Sequence, residues 1–251
     1  MLVAQRRNLI ARMVTDLGSV KVKDLSRQFA LTKDCIRKDL RVLQRAGLVK
    51  KIYGGAVKVN SLDDERYVAQ RKGKHLDEKL LIAQKAARLL KDGSVIFLDI
   101  STTNIELAKL IKNSDLSLTV MTNMIDVMQI MTEDNHDKLI FIGGEFSDDK
   151  SGFVGSLTAQ EIQRYNFDAA FIGASGVDGG KVLTFTPEDA ETKQAIVRNS
   201  RKNILLLETR KLTRRGECSF ANLADFDGII FEKSLDDTQR AQLINFSGKI
   251  L

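Results

Sequence analysis

The chain has 251 residues, of which 43% are hydrophobic and 29% are charged, with a single proline and 17 glycines. This composition is typical of a globular protein and excludes the fibrous, low-complexity and disordered classes. Two cysteines and the isolated His75 and His136 provide neither a disulfide framework nor metal-ligand spacing, and no apolar run reaches the length of a membrane span. We therefore expect a cytoplasmic protein without a metal or another cofactor.

The formal net charge of +6 is distributed unevenly along the chain. Residues 1–60 contain 14 Lys and Arg against 4 Asp and Glu, a balance of +10, whereas the remaining residues contain 25 against 29, a balance of −4. A small basic part followed by a mildly acidic part indicates that only the first part meets a polyanion. A solvated basic face without a partner is the alternative on charge alone.

The first part begins with the pattern of two helices and a short strand. Apolar residues recur at helical spacing from Leu9 onward, and Gly18 ends this predicted helix. Val20 and Val22 alternate as in a short strand. One helical turn separates Leu25 from Phe29, so residues 23–29 are predicted to form a second, short helix.

A third predicted helix combines one apolar stripe with many positive charges. Ile36, Leu40 and Leu43 follow one another at i, i+4 and i+7, and Thr32 is a suitable N-cap. Basic side chains occupy much of the remaining surface, and a basic strand over residues 48–53 then leads to Gly54-Gly55, which permits a tight reversal. This order of elements predicts a winged helix-turn-helix.

An exposed helix fits the major groove of DNA, where the base edges can be read, and nearby cations neutralise phosphates. An RNA-binding or purely structural winged helix is the alternative. The predicted DNA-binding residues are Thr32, Lys33, Arg37, Lys38, Arg41, Lys50, Lys51, Tyr53, Gly54 and Gly55.

The stretch from Val22 to Ala56 resembles the N-terminal domain of the DeoR family of bacterial transcription regulators. That family reads Thr-Ile-Arg-Arg-Asp-Leu in its recognition helix, and this chain has Cys-Ile-Arg-Lys-Asp-Leu from Cys35 to Leu40. The wing ends in the same Gly-Gly-Ala. Lys38 keeps the positive charge of the family's arginine but loses its bidentate geometry, so Arg37 is the stronger candidate for reading bases.

Residues 1–58 are thus assigned to the winged helix-turn-helix, residues 59–76 to a polar linker, and residues 77–251 to a second domain. In the second domain, predicted buried strands alternate with helices, which is typical of a parallel sheet covered on both faces. The predicted strands cover 94–101, 116–123, 138–144, 168–177, 203–209 and 227–232, and the main helices cover 79–91, 104–112 and 187–201.

Ligands of such sheets bind beyond the carboxyl ends of the strands. Small hydroxyl residues follow the first strand and open a helix, an arrangement that suits a phosphate group. Thr122-Asn123 and Gly143-Gly144 end the next two strands. Ordinary helix capping and simple turns are the alternatives. The glycines of segments 173–176 and 178–180 lack dinucleotide-binding spacing and are predicted to form turns at the rim.

Residues 79–232 also resemble the DeoR-family sensor domain, a Rossmann-like domain related in fold to ribose-phosphate isomerases and CoA transferases. The resemblance implies a pocket for a phosphorylated sugar, with Lys193 and Lys211 as phosphate-binding cations or, alternatively, as solvated surface lysines. Ser101 and Glu208 replace the family's usual Gly and Asp. The implied effector-binding residues are Asp99, Ser101, Thr102, Thr103, Thr122, Asn123, Gly143, Gly144, Glu188, Lys193 and Lys211.

These observations predict a repressor of a carbohydrate operon that a phosphorylated sugar releases from operator DNA, acting as a homo-oligomer (dimer or tetramer) away from membranes. One alternative is an isomerase-like enzyme with a DNA-binding appendage, in which Glu188 or Asp178 would be the nearest candidate base. The other is a nucleic-acid packaging protein, which would bind DNA without sequence preference.

Overall fold

A computed structural model of the chain describes residues 2–58, 66–133, 138–212, 214 and 216–251. Residues 59–65 of the predicted linker, and His136 with its predicted loop, lie outside the described residues. The chain divides into two compact units, Met1–Lys74 and His75–Leu251. Among the described residues, none of the helices has both the length and the apolarity required to cross a lipid bilayer.

The first unit is a winged helix-turn-helix. Its elements are helix α1 (Val3–Leu17), strand β1 (Ser19–Lys21), helix α2 (Val22–Gln28), helix α3 (Lys33–Arg45), strands β2 (Lys50–Ile52) and β3 (Gly55–Val57), and the short helix α4 (Val68–Arg71). The strands form an antiparallel sheet in the order β1-β3-β2. Val22, predicted to lie in the first strand, instead begins α2, because the pairing with β3 ends where Lys21 faces Gly55.

Helix α3 is anchored by the apolar stripe that its spacing predicted. Ile36, Leu40 and Leu43 are buried in one cluster with Ile10 of α1 and Leu25 of α2. The helix begins as expected, with the Thr32 hydroxyl accepting a hydrogen bond from the backbone N–H of Cys35 at 3.3 Å. The other face of α3 is therefore left free of the core.

The wing depends on two glycines for different reasons. Gly54 adopts a φ of +79°, which is costly for any residue with a side chain. Gly55 lies so close to β1 that a Cβ atom there would be 2.1 Å from the carbonyl oxygen of Val20. The wing is consequently held at a fixed position against β1.

A buried carboxylate on α3 holds α1 in place. Asp39 is only 2% exposed and accepts hydrogen bonds from Nε of Arg6 at 2.7 Å and Nε of Arg7 at 2.8 Å. Burial alone would raise the pKa of Asp39, but the two guanidinium groups outweigh it and lower the pKa. The carboxylate therefore stays ionised and bridges two consecutive arginines of the first helix.

The second unit is built on a parallel sheet. Its helices are α5 (Leu76–Ala87), α6 (Thr102–Lys112), α7 (Ile125–Met131), α8 (Ser156–Ile162), α9 (Pro187–Arg198) and α10 (Asp237–Arg240). Its strands are β4 (Val95–Leu98), β5 (Thr119–Thr122), β6 (Lys138–Phe141), β7 (Glu145–Ser147), β8 (Gly152–Val154), β9 (Ala169–Gly173), β10 (Gly176–Asp178), β11 (Lys181–Thr184), β12 (Asn203–Leu206), β13 (Cys218–Asn222), β14 (Gly228–Ile230) and β15 (Lys249–Ile250).

Seven of these strands form the main sheet, in the order β15-β14-β12-β9-β4-β5-β6, with every neighbouring pair parallel. The predicted parallel α/β architecture is confirmed. The order reverses between β9 and β4, which is where such sheets open a crevice for ligands. In the core, sheet residues such as Phe97 and Leu205 cluster with Ile162 of α8 and Ile196 of α9.

Two parts of this unit were not predicted. Strands β7 and β8 form an antiparallel hairpin, and β10, β11 and β13 form a small antiparallel sheet. The predicted strand over 168–177 is divided between β9 and β10. Gly176 and Asp178, predicted to lie in rim turns, belong to β10, whereas the predicted turn at Gly179 and Gly180 is present, with both residues at positive φ. β7, β8 and β10 have only three residues each, which is too short to show an alternating pattern.

Replacing Asp39 by asparagine removes the charge that pairs with Arg6 and Arg7 while keeping the side chain's size. We expect the free energy of opening of the first unit to fall by roughly 1.5–3 kcal/mol, the value of hydrogen bonds to a charged group. Since folding lowers the pKa of Asp39, this stabilisation is complete above about pH 4, the pKa of an unfolded Asp, and is lost as pH falls through the lower folded value.

Hydrogen–deuterium exchange of α1 and α3 in the full-length chain measures this effect. Asp34→Asn is the matched control, because Asp34 lies on the same helix but its ion pair with Arg37 is exposed. Equal loss of exchange protection in the two variants would contradict a stabilising role for the pairing of Asp39 with Arg6 and Arg7.

Candidate functional site

The exposed face of α3 presents the predicted base-reading side chains. Lys33, Arg37, Lys38 and Arg41 are all exposed, outside the buried stripe. Arg37 makes an ion pair with Asp34, one helical turn earlier, with 2.7 Å between Nη1 and Oδ1. An exposed pair of this kind is worth only about 0.3–0.5 kcal/mol, so it is easily exchanged for another partner.

The wing places further predicted residues on the surface. Lys50, Lys51, Tyr53 and Gly54 are exposed, and the Tyr53 ring stands fully in solvent at the tip. Gly55, by contrast, is buried against β1. Thr32 is exposed, although its hydroxyl serves as the N-cap of α3. A positively charged surface thus extends over α3 and the wing.

In the second unit, the candidate effector residues lie at the carboxyl edge of neighbouring strands. Asp99 follows β4, Asn123 follows β5, and Gly143 follows β6 two residues after Phe141. Because these strands are parallel and adjacent, their ends meet at the same edge of the sheet. Asp99, Ser101, Thr102, Thr103, Thr122 and Asn123 are all buried there.

Asp99 joins three elements at the point where the strand order reverses. Its carboxylate accepts from the backbone N–H of Gly173 on β9 at 3.1 Å and from Nδ2 of Asn104 on α6 at 2.8 Å. It also contacts the ammonium group of Lys193 on α9. Burial raises the pKa of Asp99, against the opposing effects of Lys193 and the Gly173 N–H. Lys193 is therefore a buried, ion-paired residue and not a solvated lysine.

Ser101, which replaces the family's glycine, is accommodated by a glycine on β9, the strand beside β4 in the sheet. Ser101 is the N-cap of α6, and its hydroxyl oxygen accepts from the N–H of Thr103 at 3.2 Å. A Cβ atom on Gly173 would lie 2.5 Å from that oxygen. Within the part of the chain that the structure describes, the hydroxyls of Thr102 and Thr103 make no hydrogen bond.

The next loop contains one oxygen without a partner. Thr122 donates to the carbonyl of Leu98 at 2.7 Å, and Nδ2 of Asn123 donates to the carbonyl of Phe153 at 2.7 Å. Oδ1 of Asn123 is buried and has no hydrogen-bond partner among the described residues. Gly144 has a φ of +147° and packs on Thr158, whose buried hydroxyl is likewise unpartnered there.

Lys211 lies in a 3₁₀ turn after β12 and is buried. Its Nζ is 2.9 Å from Oε1 of Glu208 and 3.2 Å from the carbonyl oxygen of Ala174. Glu208 also pairs with Arg210 at 2.6 Å. Burial by itself raises the pKa of Glu208, but the two cations lower it to about 2. Like Lys193, Lys211 is a buried ion-paired cation, so neither matches the alternative of a surface lysine.

Sequence reasoning missed a third buried ion pair next to these residues. Lys150, in the turn of the β7–β8 hairpin, pairs with Asp189 on the first turn of α9. Asp189 could have been noticed, since it precedes Lys193 by one helical turn, but no pattern distinguishes Lys150. Glu188, a predicted effector residue, is exposed. No cluster of potential metal ligands occurs among the described residues.

A winged helix-turn-helix joined to a parallel-sheet unit with buried polar residues at its strand ends defines a DNA-binding protein with a separate sensor unit. The model of the DeoR-like helix-turn-helix domain matches residues 6–62, and that of the DeoR C terminal sensor domain matches residues 74–233. The chain belongs to the DeoR family of transcriptional regulators.

Relatives match over nearly the whole chain. The HTH-type transcriptional regulator GlpR of Haloferax volcanii is 33% identical over 97% of this chain and 95% of its own length. The glycerol-3-phosphate regulon repressor of Escherichia coli is 30% identical, covering 90% and 89%. The lactose phosphotransferase system repressor of Staphylococcus epidermidis is 29% identical, covering 91% and 92%.

Among solved structures, ribose 5-phosphate isomerase A of Methanocaldococcus jannaschii is similar over 55% of each chain, with a TM-score of 0.40 and 18% identity. The eIF2B delta subunit of Chaetomium thermophilum covers 64% of this chain and 59% of its own, with a TM-score of 0.46 and 13% identity.

Gly173→Ala should destabilise the protein, because the new methyl group meets the Ser101 side chain that caps α6. We expect a loss of about 1–3 kcal/mol in the free energy of unfolding, typical of overpacking. Adding Ser101→Gly should restore most of the loss, since a glycine N-cap costs only a few tenths of a kcal/mol. Urea denaturation measures both effects. Gly143→Ala is the control, since nothing lies within 4 Å of its added Cβ. If the double variant were no more stable than Gly173→Ala, a clash with the Ser101 side chain would not be the cause of the lost stability.

Proposed function

We propose that this protein represses a sugar or carbohydrate operon by binding operator DNA, and that a phosphorylated sugar releases it. The presence in one chain of an exposed basic helix and of two buried lysines among polar residues at the strand ends supports this most directly. The names of two relatives, a glycerol-3-phosphate regulon repressor and a lactose phosphotransferase system repressor, point to the same class of genes.

In this proposal α3 enters the major groove and the wing follows the neighbouring backbone. Arg37 reads base edges, because its guanidinium can form two parallel hydrogen bonds to guanine. Lys50, Lys51 and Tyr53 of the wing contact phosphates and fix the register. None of these side chains belongs to the core cluster of the first unit.

For the effector, we propose that the phosphate shares Lys193 and Lys211 with their carboxylate partners and accepts from the hydroxyls of Thr102 and Thr103. The unpartnered Oδ1 of Asn123 is suited to accept a hydrogen bond from a sugar hydroxyl. Ser101 makes the crevice smaller than a glycine would, which favours a compact ligand.

We assign residues 1–58 to DNA binding, 59–76 to the linker, and 77–251 to sensing and oligomerisation as a dimer or tetramer, acting in the cytoplasm. Symmetric oligomers suit repeated operator half-sites.

We also propose that the protein is not an enzyme. The two nearest candidate bases, Asp178 and Glu188, are exposed side chains, which lack the buried setting that tunes a general base.

Arg37→Ala should weaken operator binding and relax its specificity, because one bidentate base contact contributes about 1–3 kcal/mol of discrimination. Lys50→Ala should instead weaken operator and random DNA alike and reduce the salt-dependence slope by about one, the effect of one lost phosphate contact. Fluorescence anisotropy with operator and scrambled duplexes over a salt series measures both. If Arg37→Ala left the ratio of operator to random affinity unchanged, α3 would not be the reading helix.

Lys211→Ala should still bind the operator but need more effector for release. Losing one charge-assisted contact to the phosphate costs roughly 1.5–3 kcal/mol, which is about tenfold to a hundredfold in affinity. The release follows only if the effector prefers the state that cannot bind DNA. Operator release titrated with sugar phosphates, and with glycerol 3-phosphate as a related polyol phosphate, is the measurement.

Arg210→Ala is the matched control, because it removes the other cation paired with Glu208. An equal shift of the release midpoint in both variants would show that Lys211 acts through Glu208 and does not bind the effector. If Lys211→Ala lost operator binding in the absence of effector, the role of Lys211 would be to support the folded structure.

A further inference from the structure

The β7–β8 hairpin is attached to one of the candidate effector loops. The N–H of Phe153 donates to the carbonyl of Asn123 at 2.9 Å, and the Asn123 side chain donates to the carbonyl of Phe153. The Ser151 hydroxyl donates to Asp126 of α7 at 2.9 Å. The returning strand of the hairpin is therefore fixed to the residue whose Oδ1 has no partner.

The turn of the same hairpin is attached to α9 by a buried ion pair. Nζ of Lys150 is 2.9 Å from Oδ2 of Asp189, and the two side chains are 3% and 4% exposed. The Thr184 hydroxyl donates to the same carboxylate oxygen. Lys150 also lies over the ring of Phe185, 5.5 Å from its centroid. An ion pair so well shielded from water acts on its neighbours with little screening by salt.

Four buried charges of alternating sign follow one another at this edge of the sheet. Asp99 pairs with Lys193, Lys193 stands one helical turn from Asp189 on α9, and Asp189 pairs with Lys150. Burial alone raises the pKa of Asp189, but Lys150 and Lys193 lower it well below its usual range. Two carboxyl groups and two amino groups alternate along this row, so their formal charges cancel.

A phosphate dianion that binds beside Lys193 adds two negative charges to this neutral row. Each positive charge of the row attracts the bound phosphate, and each negative charge repels it. These interactions are stronger than in water because the groups are buried. Lys150 attracts the ligand, whereas Asp189 repels it. If the pair only supported the fold, loss of either partner would weaken the site in the same direction.

We propose that Lys150 and Asp189 set the affinity of the sensor unit for its anionic effector, Lys150 increasing it and Asp189 reducing it. Lys150 thereby makes the β7–β8 hairpin part of the effector site. This inference rests on the proposed function, because it concerns the same crevice and requires a phosphorylated ligand there.

Isothermal titration of the full-length protein with glycerol 3-phosphate and with inorganic phosphate tests the inference. Lys150→Met leaves the row with one net negative charge and should weaken binding about tenfold. Asp189→Asn leaves one net positive charge and should tighten binding by a similar factor. The double variant is neutral again, so its affinity should return to within a few-fold of the original protein.

Lys112→Met is the matched control, since Lys112 is also an ion-paired lysine of this unit but its partner Glu133 is exposed. The affinity of this variant for glycerol 3-phosphate and for inorganic phosphate should not change. Thermal unfolding of each variant without ligand reports effects on the fold. If Lys150→Met failed to fold, Asp189→Asn would still decide, because damage to the fold does not tighten binding.

Weaker binding in both single variants, or unchanged binding in both, would overturn the inference while leaving the proposed function intact. If the original protein bound neither compound, and no other sugar phosphate released it from its operator, the proposed function would itself fail. Opposite shifts in the two single variants, cancelled in the double variant, are the result that the inference requires.

Discussion

The second unit is organised around the need to satisfy one buried carboxylate. Asp99 lies inside the protein at the point where the order of the parallel strands reverses, and a buried charge without partners would cost several kcal/mol. The Gly173 N–H, the Asn104 amide and the Lys193 ammonium meet that need. Each partner comes from a different element, so satisfying Asp99 also fixes β9, α6 and α9 relative to β4.

The same need explains why the buried lysines at this edge of the sheet are paired with carboxylates. A lysine buried alone would lose its proton, whereas a lysine beside a carboxylate stays charged. Lys193 and Lys211 are both buried, and each lies beside a carboxylate, Asp99 and Glu208 respectively. In the proposed effector site, the same carboxylates would limit how strongly a phosphate is held, which suits a sensor that must release its ligand when the ligand's concentration falls.

Most of the fold followed from the sequence because its signals are local and repeated. The stripe of Ile36, Leu40 and Leu43, the cap at Thr32 and the unbroken apolar strands each reflect one element, and all are present. The predicted helix over 104–112 begins two residues earlier because Ser101 is its cap. The Lys150–Asp189 pair joins residues 39 positions apart and could not be read from spacing, and strands of three residues show no period.

Helix α3 separates its structural residues from those that face outward. Ile36, Asp39 and Leu40 hold the helix in the first unit, whereas the exposed basic residues contribute nothing to that core. Substitutions on the outer face therefore carry little cost in stability. With this face as the proposed operator-reading surface, a lineage could alter the operator that it recognises without first acquiring compensating mutations. Lys38, an arginine in the family pattern, is one such change, and duplicated copies of a gene of this kind can diverge quickly to control different operons.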